Sequence, residues 1–176
     1  KQTNTQQQVG QFLTGVVTNA SSAWVKGVEL ESMWETPLQG LSLGFAWTWL
    51  DSEYDDFQDA TRSATRIAIA GECSEIVVIR NNNHCLLDLD GNELEFLPQN
   101  SVVLTMRYGQ PLFRTGLDWY IESNGSYQSE RYISADNFTE LDSFWLVDAR
   151  FGLSHERWEG VFYITNLFDN ETLSSS

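Results

Sequence analysis

The stretch LSLGFAWTWL (Leu41–Leu50) alternates between two kinds of side chain. Its odd-numbered positions from Leu41 to Trp49 are large and apolar, whereas its even-numbered positions from Ser42 to Thr48 are small or polar. Successive side chains of a β-strand point to opposite faces of the sheet. This period of two therefore predicts a strand with one fully apolar face, and no helical period competes with it.

The same alternation appears on both sides of this stretch. It spans residues 24–35, 101–108, 117–122, 145–153 and 158–168. Short turns at 37–40, 109–111 and 155–157 join the segments in pairs. The sequence thus predicts about six antiparallel strands in three hairpins. The last strand is ambiguous, because Phe162 with Ile164 and Val161 with Tyr163 both qualify as its apolar face.

The predicted connections differ in length at the two ends of the strands. The tight turns share one end, whereas the other end carries two long connections, at about residues 51–95 and 124–142. Transmembrane β-barrels have short periplasmic turns and long extracellular loops, so this asymmetry favours a barrel over a soluble sandwich. The alternation by itself does not decide which face points inward.

Aromatic residues on the apolar faces support a membrane location. Trp24 and Trp34 share one face, and at ~3.4 Å per residue and ~40° of tilt their separation projects to roughly 26 Å. The apolar band of an outer-membrane barrel is ~25 Å tall and has an aromatic girdle at each rim. The lipid-facing girdle residues are predicted to be Trp24, Trp34, Trp49, Tyr108, Trp119 and Trp145.

The polar faces carry charges of both signs, which is typical of a wet or plugged lumen. The predicted lumen-facing residues are Glu29, Glu31, Arg114, Asp118, Glu122, Asp148 and Arg150. About six strands cannot close such a lumen, and an open sheet edge is not tolerated in lipid. The predicted fold is therefore all-β, an antiparallel transmembrane β-barrel segment that belongs to a larger barrel.

Charge and cysteine placement narrow the function further. The net charge of −15 argues against a nucleic-acid partner, which would need clustered Lys and Arg. Residues 51–95 hold 11 acidic and 3 basic residues, and this segment also contains Cys73 and Cys85. We expect these two cysteines to form a disulfide, worth ~3 kcal/mol, in an oxidising compartment.

Metal, cofactor and catalytic signals are weak. A calcium site formed by Asp51, Glu53, Asp55 and Asp56 is one alternative that the sequence leaves open. We expect no other metal site and no cofactor. The sequence contains no Gly-x-Ser-x-Gly elbow and no convincing pairing of a nucleophile with a histidine, so we do not expect an enzyme.

Four segments carry motifs that follow one another along the chain. Residues 19–57 contain an Asn-Ala turn, a Gly-Val-Glu-Leu-Glu strand and a Pro-Leu-Gln-Gly-Leu turn. Residues 97–108 read LPQNSVVLTMRY, residues 120–137 contain spaced Tyr residues and a final Asn, and residues 162–169 read FYITNLFD, with an Asn-Leu-Phe-Asp motif. In this order the four segments resemble the late barrel of TonB-dependent outer-membrane receptors.

The resemblance implies a barrel of ~22 strands closed by a plug domain. It also implies import across the outer membrane of a Gram-negative bacterium, driven by TonB. The ligand that we expect is a ferric siderophore, and the other ligand classes are cobalamin, haem and glycans. Implied partners are outer-membrane lipid and lipopolysaccharide, the TonB complex through the plug, and the extracellular ligand. We expect residues 1–176 to be a C-terminal portion of the barrel without the plug and the closing strand.

Two alternatives remain open from the sequence. One is a soluble, secreted, disulfide-containing β-barrel that carries a small ligand, which length and acidity would fit. The other is a passive outer-membrane porin or adhesin, which would share the barrel but lack a plug.

Overall fold

A computed structural model describes residues 2–9, 16–61, 63, 66–68, 71, 73–113 and 115–171. Twelve strands are assigned in these ranges. They are β1 (Gln2–Val9), β2 (Val16–Glu35), β3 (Leu41–Asp56), β4 (Gln58–Thr61), β5 (Glu75–Ile79), β6 (Asn82–Asp88), β7 (Asn100–Leu112), β8 (Leu117–Gln128), β9 (Arg131–Tyr132), β10 (Glu140–Leu141), β11 (Phe144–His155) and β12 (Trp158–Ile164). No helix in the described ranges is long and apolar enough to cross a membrane.

Seven of the strands form one sheet in the order β1-β2-β3-β7-β8-β11-β12. Antiparallel pairing joins β1 to β2, β3 to β7, β7 to β8, β8 to β11 and β11 to β12. The prediction of antiparallel hairpins from alternating apolar residues is confirmed for the six strands that it covered. The structure adds β1, whose sequence QTNTQQQV lacks the apolar alternation that marked the others.

The two long connections contain small sheets of their own. Strands β4, β6 and β5 form a three-stranded sheet within residues 57–99, and β9 pairs with β10 within residues 129–143. Strands β3 and β8 run further than predicted, to Asp56 and Gln128, so both long connections start later than residues 51 and 124.

The chain separates into two compact units. The first, which we call the loop unit, consists of residues 1–27, 50–97 and 131–141. It contains the buried apolar cluster. That cluster consists of Ala23, Tyr54, Phe57, Cys85, Leu87, Leu89 and Ala135.

The second unit, which we call the wall unit, consists of residues 28–49, 98–130 and 142–176. In its described residues no large apolar side chain is buried, and Trp34 and Phe162 are 57% and 74% exposed. A sheet buries its apolar face against another layer or in an apolar environment. Within the described residues, the apolar side chains of the wall unit are exposed and have no such cover.

One predicted turn is wrong. Residues 109–111 were expected to turn the chain, but β7 continues to Leu112, which pairs with Leu117, so the chain reverses between these two residues. Pro111 is the penultimate residue of β7, where the loss of one ladder donor is tolerated. Gly116 has φ +71°, the left-handed conformation that the observed turn requires.

The register also decides the orientation of the last strand. Phe162 pairs with Phe151 and Tyr163 pairs with Arg150, so Phe162 and Ile164 share the apolar face of β11. Val161 and Tyr163 lie on the charged face.

Candidate functional site

The charged face of the wall unit is organised around a row of three residues on three adjacent strands. Arg107 on β7 and Arg150 on β11 are both register partners of Glu122 on β8. The Glu122 carboxylate accepts a hydrogen bond from Arg107 Nη1 at 2.9 Å and forms an ion pair with Arg150 Nη2 at 3.2 Å. Its side chain is 18% exposed, whereas the arginines are 54% and 47% exposed. One carboxylate therefore fixes two guanidinium groups that still face outward from the sheet.

Tyr120 extends this row towards the short turns. The guanidinium of Arg107 lies 4.2 Å from the centre of the Tyr120 ring, a cation–π arrangement. The Tyr120 hydroxyl donates to Glu159 Oε1 at 3.0 Å. The network thus spans β7, β8, β11 and β12. Beside it lies a hollow of about 450 Å³ whose lining includes Arg107, Asp118, Tyr120 and Glu159.

The seven residues predicted to face the lumen have different surroundings. Glu122 and Arg150 are joined directly, and Asp118 lies on the same face beside the hollow. Asp148 shares that face, but its Oδ1 accepts the Asn166 N–H at 2.9 Å and so holds the turn after β12. Glu29 and Glu31 are exposed on β2. Arg114 lies outside the described residues.

Three members of the network were not among the predicted residues. Arg107 had a usable signal, since it alternates with apolar Met106 and Tyr108 in residues 101–108. Tyr120 and Glu159 had no signal in the sequence that pointed to this network. An aromatic residue on a polar face and a carboxylate near a turn are both common.

The aromatic residues predicted for the girdle lie in three groups. Tyr108 and Trp119 meet edge to face with centroids 5.5 Å apart, and Trp119 lies 6.5 Å from Phe151. Trp145 packs against Tyr127 at 5.0 Å, and Trp34 and Trp49 lie on the same face. In the loop unit, Lys26 Nζ lies 4.3 Å from the Trp24 ring centre and 2.9 Å from Asp51 Oδ2.

The predicted disulfide between Cys73 and Cys85 is present, with the Cα atoms 5.4 Å apart. Cys85 is 7% exposed and belongs to the same apolar cluster as Leu87. Of the four acidic residues considered for calcium, Asp51 pairs with Lys26. Within the described residues, no three His, Cys, Asp or Glu side chains come together as metal ligands.

An antiparallel sheet with one charged face, one apolar face and no buried core of its own is characteristic of a β-barrel wall. The chain belongs to the family described as TonB dependent receptor-like, beta-barrel, whose sequence model matches residues 1–167. This confirms the resemblance noted in the sequence. No curated protein matches the chain.

Two solved structures are similar to the described fold. The ferric yersiniabactin uptake receptor FyuA from Yersinia pestis matches 88% of the chain at a TM-score of 0.62 and 20% identity. BauA, the ferric preacinetobactin receptor from Acinetobacter baumannii, matches 95% at a TM-score of 0.59 and 17% identity. The chain spans only 20% and 22% of these two receptors. Both are named as receptors and neither as an enzyme, and at this identity the likeness is one of fold.

Proposed function

We propose that this chain forms part of the barrel of an outer-membrane, TonB-dependent transporter that imports a ferric siderophore. Family membership supports TonB-dependent transport and a location in the outer membrane of a Gram-negative bacterium. The siderophore is proposed because the two similar structures are receptors for ferric siderophores. Cobalamin, haem and glycans are the other ligand classes to test.

The observation that carries the proposal is the division of the wall unit into two faces. The apolar face exposes large side chains such as Trp34, Phe162 and Trp145, which would contact outer-membrane lipid and lipopolysaccharide. The opposite face carries Arg107, Glu122 and Arg150 and would line the lumen. In this orientation the charged network faces a plug domain, through which TonB would act.

The long connections at 57–99 and 129–143 would then lie outside the cell. Their disulfide suits an oxidising compartment. Residues 1–176 would supply a C-terminal portion of a larger barrel. No cofactor is part of the proposed activity.

A soluble carrier is disfavoured, because the wall unit buries no large apolar side chain in its described residues. A passive porin has the same wall, so the deciding experiment must test energy coupling. The gene is deleted from the host bacterium, and uptake of radioactive iron is measured with a panel of ferric siderophores. Complementation with the full-length gene serves as the control.

We expect one siderophore to depend on the receptor and to lose uptake when tonB is also deleted or the proton gradient is collapsed. Uptake that depends on the gene but survives loss of TonB would indicate a passive porin. If the gene is instead required for uptake of cobalamin, haem or a glycan, the proposed ligand is wrong but the proposed TonB-dependent transport stands.

A further inference from the structure

In the loop unit, the two long connections are joined by paired hydrogen bonds from asparagine side chains. Asn137 Oδ1 accepts the Glu93 N–H at 2.7 Å, and Asn137 Nδ2 donates to the Glu93 carbonyl at 2.9 Å. In the other direction, Asn92 Nδ2 donates to the Ala135 carbonyl at 2.8 Å. Asn137 has φ +49°, a left-handed conformation that Asn tolerates better than most residues. Each connection thus satisfies main-chain groups of the other.

An ion-pair triad makes a second junction between the same segments. Arg66 Nη1 lies 2.7 Å from Asp59 Oδ2, and Arg66 Nε lies 2.9 Å from Asp136 Oδ2. The three side chains are 17%, 4% and 12% exposed, in the order Arg66, Asp59, Asp136. Asp59 and Arg66 belong to the first connection and Asp136 to the second. The planar guanidinium holds both carboxylates at once, which a lysine ammonium does with much less geometric definition.

Apolar packing completes the junction. Ala135 is 8% exposed and lies in the cluster that contains Tyr54, Phe57 and Leu89. The Phe96 N–H donates to the Tyr132 carbonyl at 2.7 Å. Within the second connection the strand pairing is limited to the two residue pairs of β9 and β10, and two turn hydrogen bonds, Ile133 N–H to Thr139 and Asn137 N–H to Ser134, add to it. A hairpin of this size is too small to be stable by itself. The order of the second connection therefore depends on the first connection.

We propose that Arg66 and Asn137 are positioning residues that join the two long connections into one cooperative unit, which we call the lid, so that loosening one connection loosens the other. The role of this lid in capturing a ligand rests on the proposed transport function. Its cooperative order does not, because it follows from contacts within the loop unit.

The test is hydrogen–deuterium exchange on the purified full-length receptor in detergent, followed by mass spectrometry of peptides from 75–95 and 131–141. Arg66→Ala leaves two partly buried carboxylates without their shared cation. We expect exchange to rise by ~10- to 100-fold in both connections together. Arg80→Ala is the matched control, since it removes an exposed guanidinium from the same connection and should leave both protected.

A second variant separates the junction from a general folding defect. Asn137→Gly removes the amide but keeps the left-handed backbone available. We expect it to raise exchange in 75–95 as well as in 131–141, although the substitution lies only in the second segment. Exchange that rises in 131–141 alone, in both variants, would overturn the cooperative lid.

A functional readout follows for the siderophore identified by its dependence on the receptor. Both variants should weaken binding of that ferric siderophore several-fold, whereas Arg80→Ala should not. Unchanged binding, with joint exchange observed, would limit the lid to a structural role and contradict its part in capture. If no siderophore is a substrate, the exchange experiment still decides whether the lid is one cooperative unit, so the two proposals can fail separately.

Discussion

Tyr120 covers Gly152, its direct partner on the neighbouring strand, so closely that a Cβ atom at Gly152 would overlap the tyrosine ring. The other contacts of Tyr120 come from Arg107, whose guanidinium lies over the ring, and from Glu159, which accepts its hydroxyl. A glycine on β11 is thus what allows an aromatic ring to lie on the charged face of the sheet. The ring in turn connects four strands.

Gly152→Ala should therefore destabilise the barrel, because Tyr120 has to leave its place and lose both polar contacts. We expect a loss of about 1–3 kcal/mol, as is usual when side-chain atoms are forced into an occupied space. The measurement is the denaturant midpoint of the full-length receptor in detergent. Gly160→Ala on β12 is the control, since a Cβ there meets nothing closer than 3.9 Å.

The partner of Gly152 provides a check on this explanation. Tyr120→Ala removes the ring that the new methyl group would strike, so Gly152→Ala should cost less in that background than in the native one. Additive losses in the double variant would show that the overlap is not the cause.

Glu122→Lys should destabilise the wall more than Glu122→Gln does, because it places three cations side by side in one cross-strand row. The glutamine variant should cost no more than ~1 kcal/mol, since both arginine partners are about half exposed and solvent screens the pairs. Denaturant midpoints measured in low salt and in ~1 M salt distinguish the two effects. A lysine penalty that does not shrink in high salt would point to steric disruption in place of charge repulsion.

The strands and their two faces could be predicted because they depend on residues that are close together in the sequence. Leu41–Leu50 and the other alternating segments define strands and faces locally, since each apolar residue is two positions from the next. Strand β1 escaped prediction because Gln and Thr fill both of its faces. The turn after β7 was misplaced because Gly109 and Pro111 are turn formers that the sheet accommodates near a strand end.

The lid contacts were beyond sequence reasoning for a different reason. Arg66 and Asp136 are 70 positions apart, and nothing near either residue distinguishes it from any other exposed charge. Asn137 was noted only as part of a family motif. Its two hydrogen bonds to the main chain of Glu93 depend on how two irregular segments pack together.

The disulfide should stabilise the loop unit locally. Cys73→Ser with Cys85→Ser opens the ring and removes a sulfur from the apolar cluster, which in the chain-entropy model costs ~3 kcal/mol. Limited proteolysis of the receptor with and without reductant should show faster cleavage within 57–95. Residues 100–128 should keep their resistance, and cleavage that accelerates equally there would contradict a local effect.

The junction between the long connections should also respond to acid. Burial opposes ionisation of Asp136, but the Ser134 hydroxyl, the Arg66 guanidinium and the Phe138 N–H together hold its pKa below the ordinary value. The ionised carboxylate is therefore stabilised in the folded lid relative to the unfolded chain, where the pKa is about 4. Its contribution is complete above about pH 4 and is lost as the pH falls through the lower, folded value.

We expect protection of residues 131–141 against hydrogen exchange, corrected for the intrinsic rate, to stay constant from about pH 7 to pH 5 and to fall below about pH 4. Asp136→Asn should start with less protection at neutral pH and should lose less on acidification, because its side chain no longer titrates. Glu140→Gln, an exposed carboxyl in the same connection, should retain the native profile. If the Asp136→Asn variant loses as much protection on acidification as the wild-type protein does, Asp136 does not control the acid response of the lid.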